Sequence, residues 1–292
     1  MLGKTRLLKW VWTGAIIIFA AGLIAITFFR ELSPVHRSDN YCRLFVILLL
    51  LAFFAEYIDS SLGMGYGTIL TPLLILAGFP LLQTVAAILF SEFVSGITAG
   101  ILHHKADNVN FTKDAKSRKV MLLMAACSIG GTLLAVTVAL NLSKFYVRLY
   151  IGLMLLAIGI FLILKKRTTY IFSWKRITVI GLLAAFNKGI SGGGYGPLLT
   201  SGQLLSGVKE KNAVAITSMA EGLVCFVAVV IYFFSSIKFD WKLTIPLTLG
   251  ALISVPGAVW TVKIIPANLI RGQIAYITLF LGVLTAAKTV FH

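Results

Sequence analysis

The sequence predicts an all-α, polytopic membrane protein with two duplicated helical halves, and three observations carry that prediction. Of its 292 residues, 59% are hydrophobic and only 12% are charged, whereas soluble domains carry roughly 45–50% apolar and about 25% charged residues. Apolar runs of about 20 residues, long enough to cross a hydrocarbon core of about 30 Å, recur along the chain. A glycine pentapeptide also occurs twice, as GMGYG at 63–67 and GGGYG at 192–196.

The first apolar run, 10–29, follows three basic residues. It is longer than the apolar core of a signal peptide and lacks a small-residue cleavage site, so we predict a retained transmembrane helix within a first unit, 1–41. A first repeat, 42–164, contains apolar segments at 42–61, 66–79, 82–103, 119–140 and 145–164. A linker and second repeat, 165–292, contain segments at 176–191, 195–207, 212–234, 242–262 and 268–290.

Alignment of the chain with itself supports the duplication. At an offset of 129 residues the two pentapeptides meet, and Glu92 meets Glu221. The succession of apolar segments matches as well. Duplicated halves are the usual construction of secondary transporters, in which the two halves are either inverted or parallel in the membrane.

The charge of the loops favours inverted halves. Loops 104–118 and 165–176 are strongly basic, whereas their counterparts near 235–242 and at the C-terminus are not. The positive-inside rule then makes both basic loops cytoplasmic and the halves inverted. This requires the short segments after each pentapeptide to complete an odd number of crossings. If those segments are re-entrant and never cross, the halves are parallel.

Charge and motifs restrict the function class. A formal net charge of +16 would suggest a nucleic-acid partner in a soluble protein. Here the basic residues lie in loops that orient the chain and meet anionic lipid, so we expect a multi-pass protein of the cell membrane, in bacteria the plasma membrane, with lipid contacts and no nucleic acid. HExxH and P-loop motifs are absent from the sequence, so we expect no enzyme, no cofactor and no metal. A homo-oligomer stays open.

The pentapeptides predict helix breaks at a binding site. Residues two apart point in nearly opposite directions on a helix, so GxGxG spacing favours a break over a packing stripe. Broken helices at corresponding positions of two halves mark the site of a transporter, and the N-terminus of the helix after each break suits an anion. The tyrosines could donate a hydrogen bond or simply pack. The candidate residues are Gly63, Gly65, Tyr66, Gly67, Ser191, Gly192, Gly193, Gly194, Tyr195 and Gly196.

Four ionisable residues at membrane depth extend this site, because such residues are functional candidates by default. Asp59 and Lys188 meet at the 129-residue offset, with opposite charges. Lys188 could bind the solute, pair with Asp59 or reach a shallow water vestibule. Glu92 and Glu221 lie in the helices after the breaks. Burial raises the pKa of a carboxyl because it disfavours the ionised form, and a proton carrier needs such a raised pKa. A buried Glu could instead form hydrogen bonds that hold the helix break in shape. We assign Asp59, Glu92 and Glu221 a coupling or a structural role.

At these residues the chain resembles the TauE/SafE family of sulfite-exporter-like membrane proteins. The resemblance rests on the duplicated halves, the glycine-rich break that opens each half and the central Glu of a following helix, and it covers nearly the whole chain after the first helix. It implies secondary transport of a small anionic sulfur compound, sulfite or an organosulfonate such as sulfoacetate, and it points to the pentapeptide glycines. Met64 departs from the glycine of the second copy, so the match does not determine the substrate.

We therefore expect a proton-linked or potential-driven anion transporter that works by alternating access. An anion channel and a carrier of another small anionic metabolite are the alternatives.

Overall fold

A computed structural model describes residues 41–164, 172–235, 237, 239–262, 279–280, 282–283, 286–287 and 289. The predicted first helix at 10–29, most of the linker 165–176 and most of the predicted last segment 268–290 lie outside the described residues.

The described residues form helices joined by short loops. They are α1 (Tyr41–Leu62), α2 (Tyr66–Leu76), α3 (Leu81–Lys105), α4 (Ala115–Asn141), α5 (Lys144–Leu164), α6 (Trp174–Ser191), α7 (Tyr195–Leu205), α8 (Glu210–Phe234) and α9 (Trp241–Thr261). Within this part of the chain, α1, α3, α4, α8 and α9 are long and apolar enough to cross a membrane. The predicted polytopic α-helical fold is therefore confirmed.

Polar residues at the loop ends determine where several helices begin. Asp114 accepts hydrogen bonds from Lys116 N at 3.0 Å and Ser117 N at 3.2 Å and caps α4. Asp240 accepts a bond from Lys242 N at 3.0 Å and caps α9. These caps satisfy backbone donors that the first turn of a helix leaves without intrahelical partners.

The bundle has two distinguishable ends. Lys242 Nζ lies 5.9 Å from the ring centroid of Tyr41, so α1 and α9 begin at one end, which we call the aromatic end. Asn108 Nδ2 donates to Val259 O at 3.1 Å, so α9 finishes beside the loop after α3. We call this second end, with loop 104–118, the basic end. Because the 21 residues of α9 rise by about 30 Å, the two ends lie on opposite sides of the bundle.

Contacts at the basic end establish the direction of the other helices. Asn212 Nδ2 donates to Asp114 Oδ2 at 3.1 Å, so α8 begins where α4 begins and where α3 has just finished. Lys116 Nζ lies 3.7 Å from the ring centroid of Phe172, so α6 begins there too. Consequently α3 runs towards the basic end and α8 runs away from it. Likewise, α1 and α9 begin at the aromatic end, whereas their sequence counterparts α6 and α4 begin at the basic end.

The helix contacts correspond between the two parts of the chain. Helix α3 packs along its counterpart α8 at the centre, α1 packs against α9, and α4 packs against α6. The short helices α2 and α7 lie inside the bundle, where all the described residues of α2 except the last are buried. Large apolar side chains face outwards on the long helices, among them Leu134, Phe234 and Trp260. This arrangement places both glycine pentapeptides in the protein interior.

Candidate functional site

Both pentapeptides interrupt a helix where the sequence predicts a break. Helix α1 ends at Leu62 and α2 begins at Tyr66, while α6 ends at Ser191 and α7 begins at Tyr195. The backbone φ angles are +66° at Gly63, +147° at Gly65, +69° at Gly192 and +76° at Gly194. Positive φ angles are sterically unfavourable for a residue with a Cβ atom, so glycine is the residue that suits all four positions.

The two breaks pack directly against each other. A methyl group at Gly67 would overlap the carbonyl oxygen of Gly192. A Cβ at Gly193 would lie 2.7 Å from Gly67 O, and one at Gly196 would lie 2.5 Å from Gly63 O. These hypothetical separations are shorter than van der Waals contact. Glycine therefore brings backbone from each half into contact, at a place where any side chain would keep them apart.

Two threonines hydrogen-bond across this contact. Gly194 N donates to Thr68 Oγ1 at 3.0 Å, and Thr200 Oγ1 donates to Gly63 O at 2.6 Å. Each bond joins the break of one half to the first turns of the short helix of the other. Non-helical backbone in a membrane protein needs such partners, because lipid offers none.

Lys188 is the only lysine among the buried polar and charged side chains of the described residues, and it is 1% exposed. Its Nζ contacts Glu92 Oε2 and donates to Glu221 Oε1 at 2.7 Å. The two glutamates are counterparts on α3 and α8, and the lysine comes from the end of α6. The sequence left three roles open for Lys188: solute binding, pairing with Asp59 and exposure to a water vestibule. The contacts favour a buried ion pair, formed with the two glutamates instead of Asp59.

Asp59 and Glu92 bind the N-terminus of α2. Tyr66 N donates to Asp59 Oδ1 at 3.3 Å, and Gly67 N donates to Glu92 Oε1 at 3.1 Å. Carboxylates suit this position because the first N–H groups of a helix lack intrahelical partners and the helix dipole is positive there. The N-terminus of α2 is therefore already bound by acidic side chains of the protein itself.

The N-terminus of α7 differs from that of α2. Among the described residues, no side chain accepts a hydrogen bond from Tyr195 N or Gly196 N, and the next residue is Pro197. Two buried polar atoms, Tyr195 Oη and Glu221 Oε2, have no hydrogen-bond partner within this part of the chain. The pseudo-equivalent Tyr66 hydroxyl, in contrast, shares a hydrogen bond of 2.7 Å with Ser91 Oγ. The two halves are therefore chemically unequal at corresponding positions.

Comparison with known proteins establishes the family. The family model described as "Sulfite exporter TauE/SafE" matches residues 47–285, which include both breaks and the buried ion pair. The chain belongs to the TauE/SafE family. It is also similar to the "Probable membrane transporter protein YtnM" of Bacillus subtilis (strain 168), with 27% identity over 232 residues, 75% of this chain and 74% of the relative. No solved structure matches the chain.

Membership of the TauE/SafE family makes the protein a multi-pass membrane transporter and not an enzyme. The family description also agrees with the resemblance in the sequence. It leaves open which compound this member carries.

The cluster around Lys188 also contains a carboxylate that was not predicted from the sequence. Glu56 is buried on α1 and accepts hydrogen bonds from Ser60 Oγ at 2.6 Å and from Ser95 Oγ at 3.0 Å. Glu56 precedes Asp59 by three residues in one apolar segment, so the two share a helix face. That spacing was the available signal.

A buried histidine also connects α1 to the basic end. His103 Nε2 donates to Ser60 O at 3.0 Å, because its Nδ1 accepts from Asn108 Nδ2 at 3.0 Å. Nothing in the local sequence distinguishes this histidine from one at the membrane interface. The bond joins the last turn of α1, next to the first break, to the loop after α3.

Ser191 shapes the second break. Its Oγ donates to Asn187 O at 2.7 Å and accepts a bond from Gly193 N at 3.1 Å. Both partners lie within four residues of Ser191. The serine hydroxyl thus bonds backbone groups on both sides of the end of α6.

Proposed function

We propose that this protein is a secondary transporter of small anionic sulfur compounds, sulfite or organosulfonates such as sulfoacetate, and that it works by alternating access. The observation that carries the proposal is the contact of two glycine helix breaks beside a buried lysine. Broken helices at corresponding positions are typical of transporter binding sites. A lysine at membrane depth is expensive to bury, which favours a functional role for it.

The direction of the helices supports two inverted repeats, at 42–164 and 165–292, after a first unit at 1–41. Helices that correspond in sequence begin at opposite ends of the bundle: α1 and α6, α3 and α8, and α4 and α9. Helix α2 returns the chain towards the aromatic end, where α3 begins only five residues after Leu76. Inverted repeats can exchange conformations across a shared central site, which exposes it alternately to each side.

The second half supplies most donors for the proposed anion site. Backbone N–H groups of Tyr195 and Gly196 begin α7, the hydroxyl of Tyr195 is buried without a partner in the described residues, and Lys188 lies one turn before the break. Oxyanions with several oxygens suit such a set of donors at a helix N-terminus. The proposed substrate-binding residues are Lys188, Ser191, Gly192, Gly193, Gly194, Tyr195 and Gly196, with Gly63, Gly65, Tyr66 and Gly67 forming the facing wall.

A ligand panel tests the substrate class. Purified protein is heated with sulfite, sulfate, thiosulfate, sulfoacetate, taurine or isethionate, and the unfolding midpoint is recorded. A ligand that binds only the folded state raises the free energy of unfolding by mass action, by about 2.7 kcal/mol at 100 times its Kd, and the midpoint rises with it. We expect a sulfur oxyanion to raise the midpoint and chloride at equal ionic strength to leave it unchanged. A panel without effect would contradict the proposed substrate class.

Counterflow in proteoliposomes separates a carrier from an anion channel. Vesicles preloaded with unlabelled substrate should accelerate the entry of labelled substrate, because a carrier returns faster when it is loaded. A channel would instead give conductive flux without acceleration. The Lys188→Ala variant should lose counterflow, whereas Lys175→Ala, at an exposed position early in α6, should retain it.

A further inference from the structure

We propose that the anion binds together with one proton, and that Glu221 accepts this proton when the substrate takes its place on Lys188. The inference rests on the proposed function and specifies its coupling ion. Its basis is the geometry of the ion pair: one ammonium group faces two carboxylates that come from counterpart helices.

The charges around Lys188 oppose the binding of a further anion. Glu92 on α3 and Glu221 on α8 contact the ammonium directly, and Glu56 and Asp59 on α1 interact with it electrostatically. With all four carboxylates ionised, the cluster has a net charge of −3. An added anion would meet this charge where solvent screening is weak. Neutralising one carboxylate therefore favours anion binding.

Of the two carboxylates that contact Lys188, and whose protonation would free its ammonium group, Glu221 has the fewer stabilising contacts. Glu92 accepts from Gly67 N and contacts Lys188, so it loses two interactions if it is protonated. Asp59 accepts from Tyr66 N, and Glu56 accepts from two serine hydroxyls. Glu221 Oε1 binds Lys188, but its buried Oε2 has no partner among the described residues. Protonation there costs one contact, which the substrate then makes with the freed ammonium.

Among the described residues, the other titratable groups that face the lysine are a thiol and two phenols. Cys225 lies one turn after Glu221 on α8, and its Sγ is 3.9 Å from Glu92 Oε2. Tyr66 on α2 and Tyr195 on α7 are buried beside the cluster. Thiols and phenols are ordinarily neutral near pH 7. The proton that accompanies the anion is therefore assigned to a carboxylate.

Binding of the anion and binding of the proton must strengthen each other by the same factor, because coupling between two sites is reciprocal. We expect the apparent Kd to rise by about tenfold per pH unit wherever one proton is taken up with each anion. Both ligands then travel in the same direction.

Calorimetric titration with isethionate tests the inference, because a sulfonate keeps one negative charge between about pH 5 and 8. The titration is run at about pH 7 in two buffers with different ionisation enthalpies, which converts the difference in heat into protons taken up. We expect about one proton per anion in the wild type and close to none in Glu221→Gln, which should still bind. Asp240→Asn makes the same change at a carboxyl outside this cluster, where it caps α9, and it should retain the uptake.

The outcomes separate the two proposals. Binding without proton uptake in the wild type, or unchanged uptake in Glu221→Gln, overturns the inference and leaves the anion transporter standing. If no sulfur anion binds at any pH between about 5 and 8, the substrate class is wrong and the inference falls with it. The wild-type measurement requires no variant, so a variant that fails to fold does not prevent the test.

Discussion

At the scale of single residues, Lys188 contributes to stability through the two carboxylates it neutralises. Removing one partner of a buried ion pair leaves an uncompensated charge, which typically costs 3–5 kcal/mol. In Lys188→Met two glutamates, Glu92 and Glu221, lose their cation. We expect the free energy of unfolding in detergent to fall by roughly that amount. A double variant, Lys188→Met with Glu221→Gln, should recover part of the loss, whereas an equal or larger loss would contradict the ion-pair account.

The close contact of the two breaks makes a second residue-scale prediction. In Gly67→Ala the new methyl group meets the carbonyl of Gly192, and backbone on both sides prevents easy relaxation. Overpacking typically costs about 1–3 kcal/mol, and we expect at least the upper end here, measured by the unfolding midpoint. Gly130→Ala is the control, because a Cβ at this helical position would have no atom within 4 Å apart from its chain neighbours and the nearby backbone of its own helix. It should be neutral or slightly stabilising. Equal midpoints for both variants would contradict the predicted contact.

At the scale of helices and loops, the cap of α4 also joins two parts of the bundle. Asp114 accepts from Lys116 N, from Ser117 N and from Ser117 Oγ at 2.6 Å, and it binds Asn212 at the start of α8. The Ser117 hydroxyl bonded to this carboxylate is the largest of the influences that lower the pKa of Asp114. Because Asp114 binds its proton more weakly in the folded state, this contribution to stability is present above about pH 4 and is lost as the pH falls through the lowered value.

Asp114→Ala should therefore reduce the free energy of unfolding by about 1 kcal/mol at neutral pH. The difference from wild type should shrink as the pH falls below about 4 and towards the lowered pKa of the carboxyl in the folded protein. Asp114→Asn retains a capping oxygen without the charge and should lie between the two at neutral pH. Denaturant titrations at about pH 7 and pH 3 measure all three proteins. A difference that persists at the lower pH would contradict the role of the carboxylate.

The helices could be predicted well because their ends depend on nearby residues. The apolar segment 195–207 corresponds to α7 at Tyr195–Leu205, and 82–103 to α3 at Leu81–Lys105. Glycines and polar caps end a helix locally. The predicted segment 119–140 begins four residues after the first residue of α4, Ala115. The first turn of α4 is basic, so hydropathy alone assigns it to the preceding loop.

The partners within the site could be predicted less well because they depend on packing between distant helices. The opposite charges of Lys188 and its counterpart Asp59, 129 residues earlier, identified Lys188 as a candidate. Its contacts with Glu92 and Glu221 form only because α3, α6 and α8 converge. Nor does the sequence indicate that Gly67 touches Gly192, since the glycines could equally have lined a cavity. Periodicity and composition describe one helix at a time, and they carry no information about which faces meet.

At the scale of the whole molecule, apolar side chains cover the outer surface of the bundle and ionisable side chains lie in its interior. Apolar side chains such as Leu134 and Phe234 face outwards from the long helices, while ionisable side chains such as Lys188, Glu92 and Glu221 are buried inside the bundle. The central pair α3 and α8 supplies one glutamate each to the same lysine. Relative movement of the two halves would therefore change the contacts of this ion pair, which links the site to the conformation of the whole protein.

Inverted halves make a prediction that a labelling experiment can decide. Pro80 and Lys209 are exposed, immediately precede α3 and α8, and are counterparts at the 129-residue offset. Helix α8 begins at the basic end, whereas α3 begins at the aromatic end. Under the positive-inside rule, Lys209 then faces the cytoplasm and Pro80 the exterior. In a background without native cysteines, a membrane-impermeant maleimide should label Pro80→Cys in intact cells and Lys209→Cys only in inverted vesicles. Parallel halves would instead present both cysteines on one side, and the opposite pattern would reverse the orientation while retaining the inversion.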